Sequence, residues 1–124
     1  MTYYSLDPEV AGGWGDDTEA DTSVHPPIIS KLHYEFEGWL GDVLLESFPS
    51  WIVTVPTMEQ IQSAKLTGAT FANVKVTTSG LFQDMYPGRR LPKFVWLKVD
   101  GKPGHDDFVQ GLGISHAIIE PYTE

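Results

Sequence analysis

Most apolar segments of this chain are short and end at a proline or at a turn that contains glycine. Residues 51–55 are followed by Pro56, and residues 94–99 are followed by the Asp100-Gly101 pair. Because proline and glycine interrupt regular structure, no long helix or strand fits between these breaks. Short strand and helix patterns alternate without a regular order, and this predicts the α+β fold class.

We predict one mixed or antiparallel sheet of about five or six strands with two or three short helices. The strands are predicted at residues 2–6, 28–37, 51–55, 71–78, 94–99 and 114–120. The helices are predicted at residues 40–48, at 58–65 after Thr57 as the N-cap residue, and at 81–86. Alternation in the 28–37 strand predicts one apolar face (Leu32, Tyr34, Phe36) and one polar face (Lys31, His33, Glu35, Glu37).

The length of 124 residues fits one domain, so residues 1–124 are predicted to form a single α+β domain. The chain has no cysteine, which excludes disulfides and thiolate metal sites. Its first residues lack the basic and apolar regions of a signal peptide. The longest apolar runs, as at residues 51–53 and 94–97, contain only three or four residues, far fewer than the roughly 20 that span a bilayer. We therefore expect a cytoplasmic protein that does not contact a membrane.

The acidic charge is concentrated in the first third of the chain. Residues 1–46 contain ten acidic residues and one base, Lys31, whereas residues 47–124 contain seven of each sign. The net charge of −9 therefore comes from the first third. Such a region repels nucleic acid and attracts basic proteins. We expect a basic protein as the partner and do not expect nucleic acid.

Residues 10–24 are rich in glycine and then in acids, and they show neither a strand nor a helix period. We interpret them as an acidic surface loop. The glycines lack the lysine and hydroxyl of a phosphate-binding loop, and the acids lack the spacing of a calcium-binding loop. We therefore predict no metal and no cofactor. Trp14 stands in this polar setting, so we expect it to be exposed and to anchor a partner.

The most enzyme-like cluster is His105-Asp106-Asp107, since a carboxylate can orient a histidine. Adjacent acids after a proline and a glycine more often stabilise a turn. The chain also lacks the sequence motifs of serine hydrolases and zinc proteases. We therefore predict no catalytic residue and no enzymatic activity.

A basic segment at residues 86–93 supports an alternative function. Arg89, Arg90 and Lys93 stand there beside aromatic and proline residues. Bases combined with aromatic residues are typical of RNA contacts. The alternative is a small regulatory module that binds an anionic ligand or RNA through these three side chains.

Several strings of residues resemble an immunity-protein family of bacterial polymorphic toxin systems, which was formerly a domain of unknown function. The resemblance covers nearly the whole chain. Its most specific parts are Glu37-Gly38-Trp39-Leu40-Gly41-Asp42 and Tyr86-Pro87-Gly88-Arg89. Other parts are Pro8-Glu9-Val10-Ala11-Gly12-Gly13, Val24-His25-Pro26-Pro27 and Leu44-Leu45-Glu46-Ser47-Phe48-Pro49.

The resemblance implies an α+β protein without catalytic residues that is made beside a toxin and neutralises it by tight binding. It agrees with the acidic charge, because many toxin domains are basic nucleases. We therefore expect a cognate toxin as the partner. The predicted binding residues are the acids of the 10–24 loop with its tryptophan and two acids of the exposed strand face: Trp14, Asp16, Asp17, Glu19, Asp21, Glu35 and Glu37.

Overall fold

The computed structural model describes residues 8–102, 104–109 and 113–114. Its strands are β1 (Gly12–Trp14), β2 (Glu19–Asp21), β3 (Ile28–Lys31), β4 (His33–Phe36), β5 (Leu44–Ser47), β6 (Ser50–Thr54), β7 (Ala69–Ala72), β8 (Lys75–Thr78), β9 (Phe94–Val99), β10 (Phe108–Val109) and β11 (Gly113–Ile114). Its helices are α1 (Val55–Ser63) and α2 (Gly80–Met85). No helix in these residues is long and apolar enough to cross a membrane.

The α+β class is confirmed, but the strands do not form the predicted single sheet. They form an antiparallel four-stranded sheet in the order β5-β6-β9-β7, a three-stranded sheet in the order β1-β4-β8, and the pairs β2-β3 and β10-β11. In the three-stranded sheet, β4 is antiparallel to β1 and parallel to β8. The segments 28–37 and 71–78 were each predicted as one strand. Each is divided between two sheets.

The four-stranded sheet buries both of its faces. One face contributes Ile52 and Trp96 to a cluster that also holds Tyr34 and Phe36 of β4 and Phe82 of α2. The other face packs against α1 and β10 through the buried residues Leu44, Val53, Ile61, Leu97 and Phe108. Side chains of a strand alternate between the faces of its sheet, so neighbouring residues of β6 and β9 enter different clusters.

The predicted helix at 40–48 is wrong. The second half of this segment is β5, which pairs with β6 through the Phe48-Pro49 turn. Leu44 and Leu45 are both buried, one in each cluster, as the alternation of a strand requires. Leu40, which the predicted helix would have placed on its apolar face, is 88% exposed.

The other helices are close to their predicted positions. The first begins earlier than predicted, because its N-cap is Thr54 and not Thr57. The Oγ1 of Thr54 accepts the Thr57 N–H at 3.4 Å, and Pro56 lies in the first turn. α2 is capped by Ser79, whose Oγ accepts the Phe82 N–H at 3.1 Å. The predicted strand 94–99 is confirmed as β9.

Two predicted strands fall largely outside the described residues. These are the strand at 2–6 and all but the first residue of the strand at 114–120. The segment before the latter contains β10, whose Phe108 is paired with Ile114 of β11.

Candidate functional site

The segment predicted as an acidic loop is one arm of an interrupted β-hairpin. β1 pairs with β4, with Trp14 opposite Tyr34, and β2 pairs with β3, with Asp21 opposite Ile28. Both arms therefore run antiparallel along residues 12–37, which we call the acidic hairpin. The loop prediction failed because the strands are only three residues long, which is too short to show a period.

The hairpin is interrupted by a turn at residues 15–18. The Gly15 N–H donates to the His33 carbonyl at 2.8 Å, and the Thr18 N–H donates to the Gly15 carbonyl at 3.1 Å. The Thr18 hydroxyl donates to the His33 carbonyl at 2.9 Å and accepts the His33 N–H at 3.0 Å. The Thr18 hydroxyl thus takes the place of the backbone groups that would pair with His33 in a regular ladder. The turn protrudes from the hairpin as a bulge. Asp16 and Asp17 lie at its exposed crest.

His33 lies beneath this turn and is 5% exposed, although the strand pattern predicted it on the polar face. Its Nδ1 accepts the Asp17 N–H at 3.1 Å, so the ring proton is on Nε2, which donates to the Thr77 hydroxyl at 2.7 Å. A Cβ atom on Gly15 would lie 2.1 Å from the His33 ring, so only glycine fits there. The histidine therefore supports the turn and fixes its height above the sheet.

One of the acids on the turn is neutralised by the neighbouring strand. Asp17 forms an ion pair with Lys75 of β8. The hydrogen bond from Lys75, together with its charge, lowers the pKa of Asp17. Asp16, Glu19 and Glu37 are exposed and have no such partner among the described residues. Their negative charge therefore faces solvent.

All seven residues that were predicted to bind a partner lie on the acidic hairpin. Trp14, Asp16, Asp17, Glu19 and Asp21 are on its first arm, and Glu35 and Glu37 are at the far end of its second arm. Trp14 is 37% exposed, as the sequence predicted. Its binding role, like that of the six acids, stays a prediction. Sequence reasoning missed His33, Thr18 and Lys75, because their roles depend on pairings between distant residues.

The hairpin is joined to the four-stranded sheet by one buried hydroxyl. The Tyr34 hydroxyl accepts the Ala11 N–H at 3.0 Å and donates to the Glu46 carbonyl at 3.1 Å. Burial raises the pKa of Tyr34 to about 12. Because the neutral hydroxyl bridges two backbone groups, it fixes the position of the hairpin relative to β5.

We expect Tyr34→Phe to lower the free energy of unfolding by about 2 kcal/mol, because two buried backbone groups lose a partner. The loss should shrink at high pH. An unfolded tyrosine ionises near pH 10 and the folded one near pH 12, so this contribution is present below pH 10 and disappears as the pH rises through 12. Urea unfolding of both proteins between pH 7 and 12 measures it. A constant difference across that range would contradict the assignment.

The basic segment that supported the alternative function has a structural contact of its own. The Arg89 guanidinium lies 4.8 Å from the centre of the Trp39 ring and 5.2 Å from that of Tyr86, and it donates to the Trp39 carbonyl at 3.1 Å. The Glu9 carboxylate accepts the Leu40 N–H at 2.7 Å from the other side of the same turn. Arg89 therefore holds the 38–42 turn against the end of α2.

The other two bases of that segment, Arg90 and Lys93, are exposed. Neither makes a side-chain hydrogen bond or ion pair with another described residue. The binding of an anionic ligand or RNA by Arg89, Arg90 and Lys93 therefore stays a prediction.

The carboxylates beside His105 also bind backbone groups. Asp106 accepts the Lys102 N–H at 2.7 Å, and Asp107 accepts the Thr67 N–H at 2.8 Å. The Asp107 N–H in turn donates to the Thr67 hydroxyl at 3.1 Å. The bonds to Thr67 hold Asp107 against the loop that follows α1, and the bond between Asp106 and Lys102 is the kind of turn contact that the sequence favoured.

Comparison of the chain with protein-family models, with curated proteins and with solved structures finds no match. The resemblance to immunity proteins therefore stays a prediction.

Proposed function

We propose that this protein binds a basic protein through the acidic hairpin and that this partner is a cognate bacterial toxin, which it neutralises by covering it. The observation that carries the proposal is the acidic hairpin itself. It displays six acids against one base, Lys31, and only Asp17 is paired with a base from elsewhere in the described residues. A surface of one charge sign attracts a partner of the other sign and speeds its association.

The hairpin is also held rigidly. β4 is paired on both sides, by β1 and by β8, and the Tyr34 hydroxyl connects it to the four-stranded sheet. His33 supports the turn from below. A partner then meets charges that are already in place, so little entropy is lost when the complex forms.

The charge on the hairpin should set the association rate. In a variant with Asp16→Asn, Glu19→Gln and Glu37→Gln, we expect association with the partner to slow by at least about tenfold at low ionic strength. The dependence on salt should flatten as well, because three unpaired charges are removed. Stopped-flow or surface plasmon resonance measurements of the association rate at several salt concentrations test both effects.

Lys75→Gln is a control variant that should change the association rate in the opposite direction. It removes the base that neutralises Asp17, so the hairpin becomes more acidic and association should be faster. Equal association rates for wild type, the triple variant and Lys75→Gln would contradict the assignment of the hairpin as the binding surface.

Neutralisation is tested separately in a bacterial host. The tagged chain is used at low salt to isolate a stoichiometric protein partner, which is then expressed alone and together with the chain. We expect the partner alone to stop growth and the chain to restore it. Growth that is unaffected by the partner would contradict the toxin assignment, while salt-sensitive binding of that partner would still support a binding protein.

A further inference from the structure

A surface groove lies where the tip of the acidic hairpin meets the end of the four-stranded sheet. Its volume is about 310 Å³, which is at the lower end of the range for ligand pockets. One wall is formed by Pro26 and Ile28, and the other by Pro49, Trp51 and Val99. The lining is therefore mainly aromatic and aliphatic.

The groove continues into exposed apolar surface. Ile28 is 61% exposed, and Phe48, which precedes the groove residue Pro49, is 57% exposed. The His25 ring lies 6.2 Å from the Phe48 ring, so the tip of the hairpin packs beside the β5–β6 turn. Exposed apolar side chains grouped around a concave site are typical of the centre of a protein interface.

The surroundings of the groove are mainly acidic. Asp21 is paired opposite Ile28, Glu46 is paired opposite Trp51, and Asp100 follows Val99. Among the described residues, the one base that lines the groove is Lys98, whose ammonium lies 4.3 Å from the centre of the Trp96 ring. Three groove residues thus have an acidic residue as a neighbour along or across the strands, and the ammonium of Lys98 is engaged with an indole.

We propose that this groove is the apolar centre of the same binding surface and receives an aromatic or large aliphatic side chain of the basic partner, with lysine or arginine on either side of it. The inference rests on the proposed function, because the acidic hairpin contributes both an acid of the proposed binding surface, Asp21, and a residue of the groove, Ile28. A few well-packed anchors in desolvated pockets, surrounded by near-neutral contacts that exclude water, carry most of the binding energy in protein complexes. The hairpin acids would then set the rate of association, and the groove would set the rate of dissociation.

The test uses two synthetic peptides, acetyl-Lys-Lys-Phe-Lys-Lys-amide and the same peptide with alanine in place of phenylalanine. Binding is followed through the indole N–H signals of Trp51 and Trp96 in ¹H–¹⁵N spectra. We expect the phenylalanine peptide to bind at least tenfold more tightly and to shift these signals. Ile28→Asn should abolish that difference between the peptides.

Leu81→Asn is the matched control, because Leu81 is 57% exposed but lies on α2 and does not line the groove. It should keep the difference between the peptides. Equal affinity of both peptides for the wild-type protein would overturn the proposal. Equally tight binding of acetyl-Glu-Glu-Phe-Glu-Glu-amide would overturn the assignment of a basic partner to the groove.

The failures of the two proposals are distinguishable. The variant with Asp16→Asn, Glu19→Gln and Glu37→Gln leaves every groove residue in place, so it should weaken both lysine peptides and keep the difference between them. Suppose that the two lysine peptides differ in affinity, but association of the triple variant with the partner depends on salt as strongly as that of the wild type. The groove is then supported and the hairpin assignment fails. If the triple variant loses the salt dependence of association but the two lysine peptides bind the wild type equally well, the groove inference fails and the hairpin assignment is supported.

Discussion

Replacing Phe36 with alanine is expected to lower the free energy of unfolding by about 4 kcal/mol, which is a large part of the stability of a domain of this size. Phe36 is fully buried. Its ring centre lies 4.9 Å from that of Tyr34, 5.4 Å from that of Phe94 and 6.4 Å from that of Phe82. The substitution therefore leaves a cavity where β4, β9 and α2 meet.

Urea unfolding followed by tryptophan fluorescence measures the effect of Phe36→Ala. Phe48→Ala is the control, because Phe48 is 57% exposed and its removal should change stability by no more than about 0.5 kcal/mol. A loss below about 1.5 kcal/mol for Phe36→Ala would mean that the three elements do not pack around this ring.

Gly12→Ala is expected to cost about 3 kcal/mol, although it adds a single methyl group. A Cβ atom at this position would lie 1.9 Å from the Glu35 carbonyl oxygen on the paired strand. A backbone atom cannot rotate away as a side chain can, so β1 and β4 would have to separate. Because β1 forms the first arm of the acidic hairpin, partner binding should weaken along with stability.

Gly13→Ala is the control for this prediction, because a Cβ atom there has nothing within 4 Å. Its effect on the free energy of unfolding should stay within about 0.5 kcal/mol, because the added methyl group meets no atom and alanine restricts the unfolded chain more than glycine does. Thermal unfolding of both variants makes the comparison. Equal losses for Gly12→Ala and Gly13→Ala would contradict the close approach of β1 to β4.

The local sequence was sufficient to predict secondary structure and burial where a segment forms a single element. The apolar run at 94–99 is β9 with the predicted bounds, and the alternation of Leu32, Tyr34 and Phe36 correctly predicted three buried side chains. The pattern failed at 40–48, because Leu44 and Leu45 enter opposite clusters and so imitate the spacing of an apolar helix face. Which neighbours cover each face of a sheet is a tertiary property that the segment does not contain.

For the candidate site, the sequence correctly predicted exposed acids in the 10–24 segment and at Glu37, but Glu35 is half-buried and the contacts that hold these residues were not predicted. The neutralisation of Asp17 depends on Lys75, and the support of the turn depends on His33 and Thr77. These residues come from β4 and β8, which lie far apart in the chain. The groove was missed for the same reason, because its walls come from the hairpin tip, β6 and β9.

The parallel pairing of β4 with β8 has a consequence for the order in which the chain folds. The two arms of the acidic hairpin are close in sequence and can meet quickly, whereas the His33–Thr77 contact joins residues 44 positions apart. The intervening residues form β5, β6, α1 and β7, so closing this loop gains most once those elements have packed. We therefore expect the hairpin to gain its support from β8 late in folding. A partner that binds only this form selects chains that have folded entirely, and it stabilises the whole molecule by mass action.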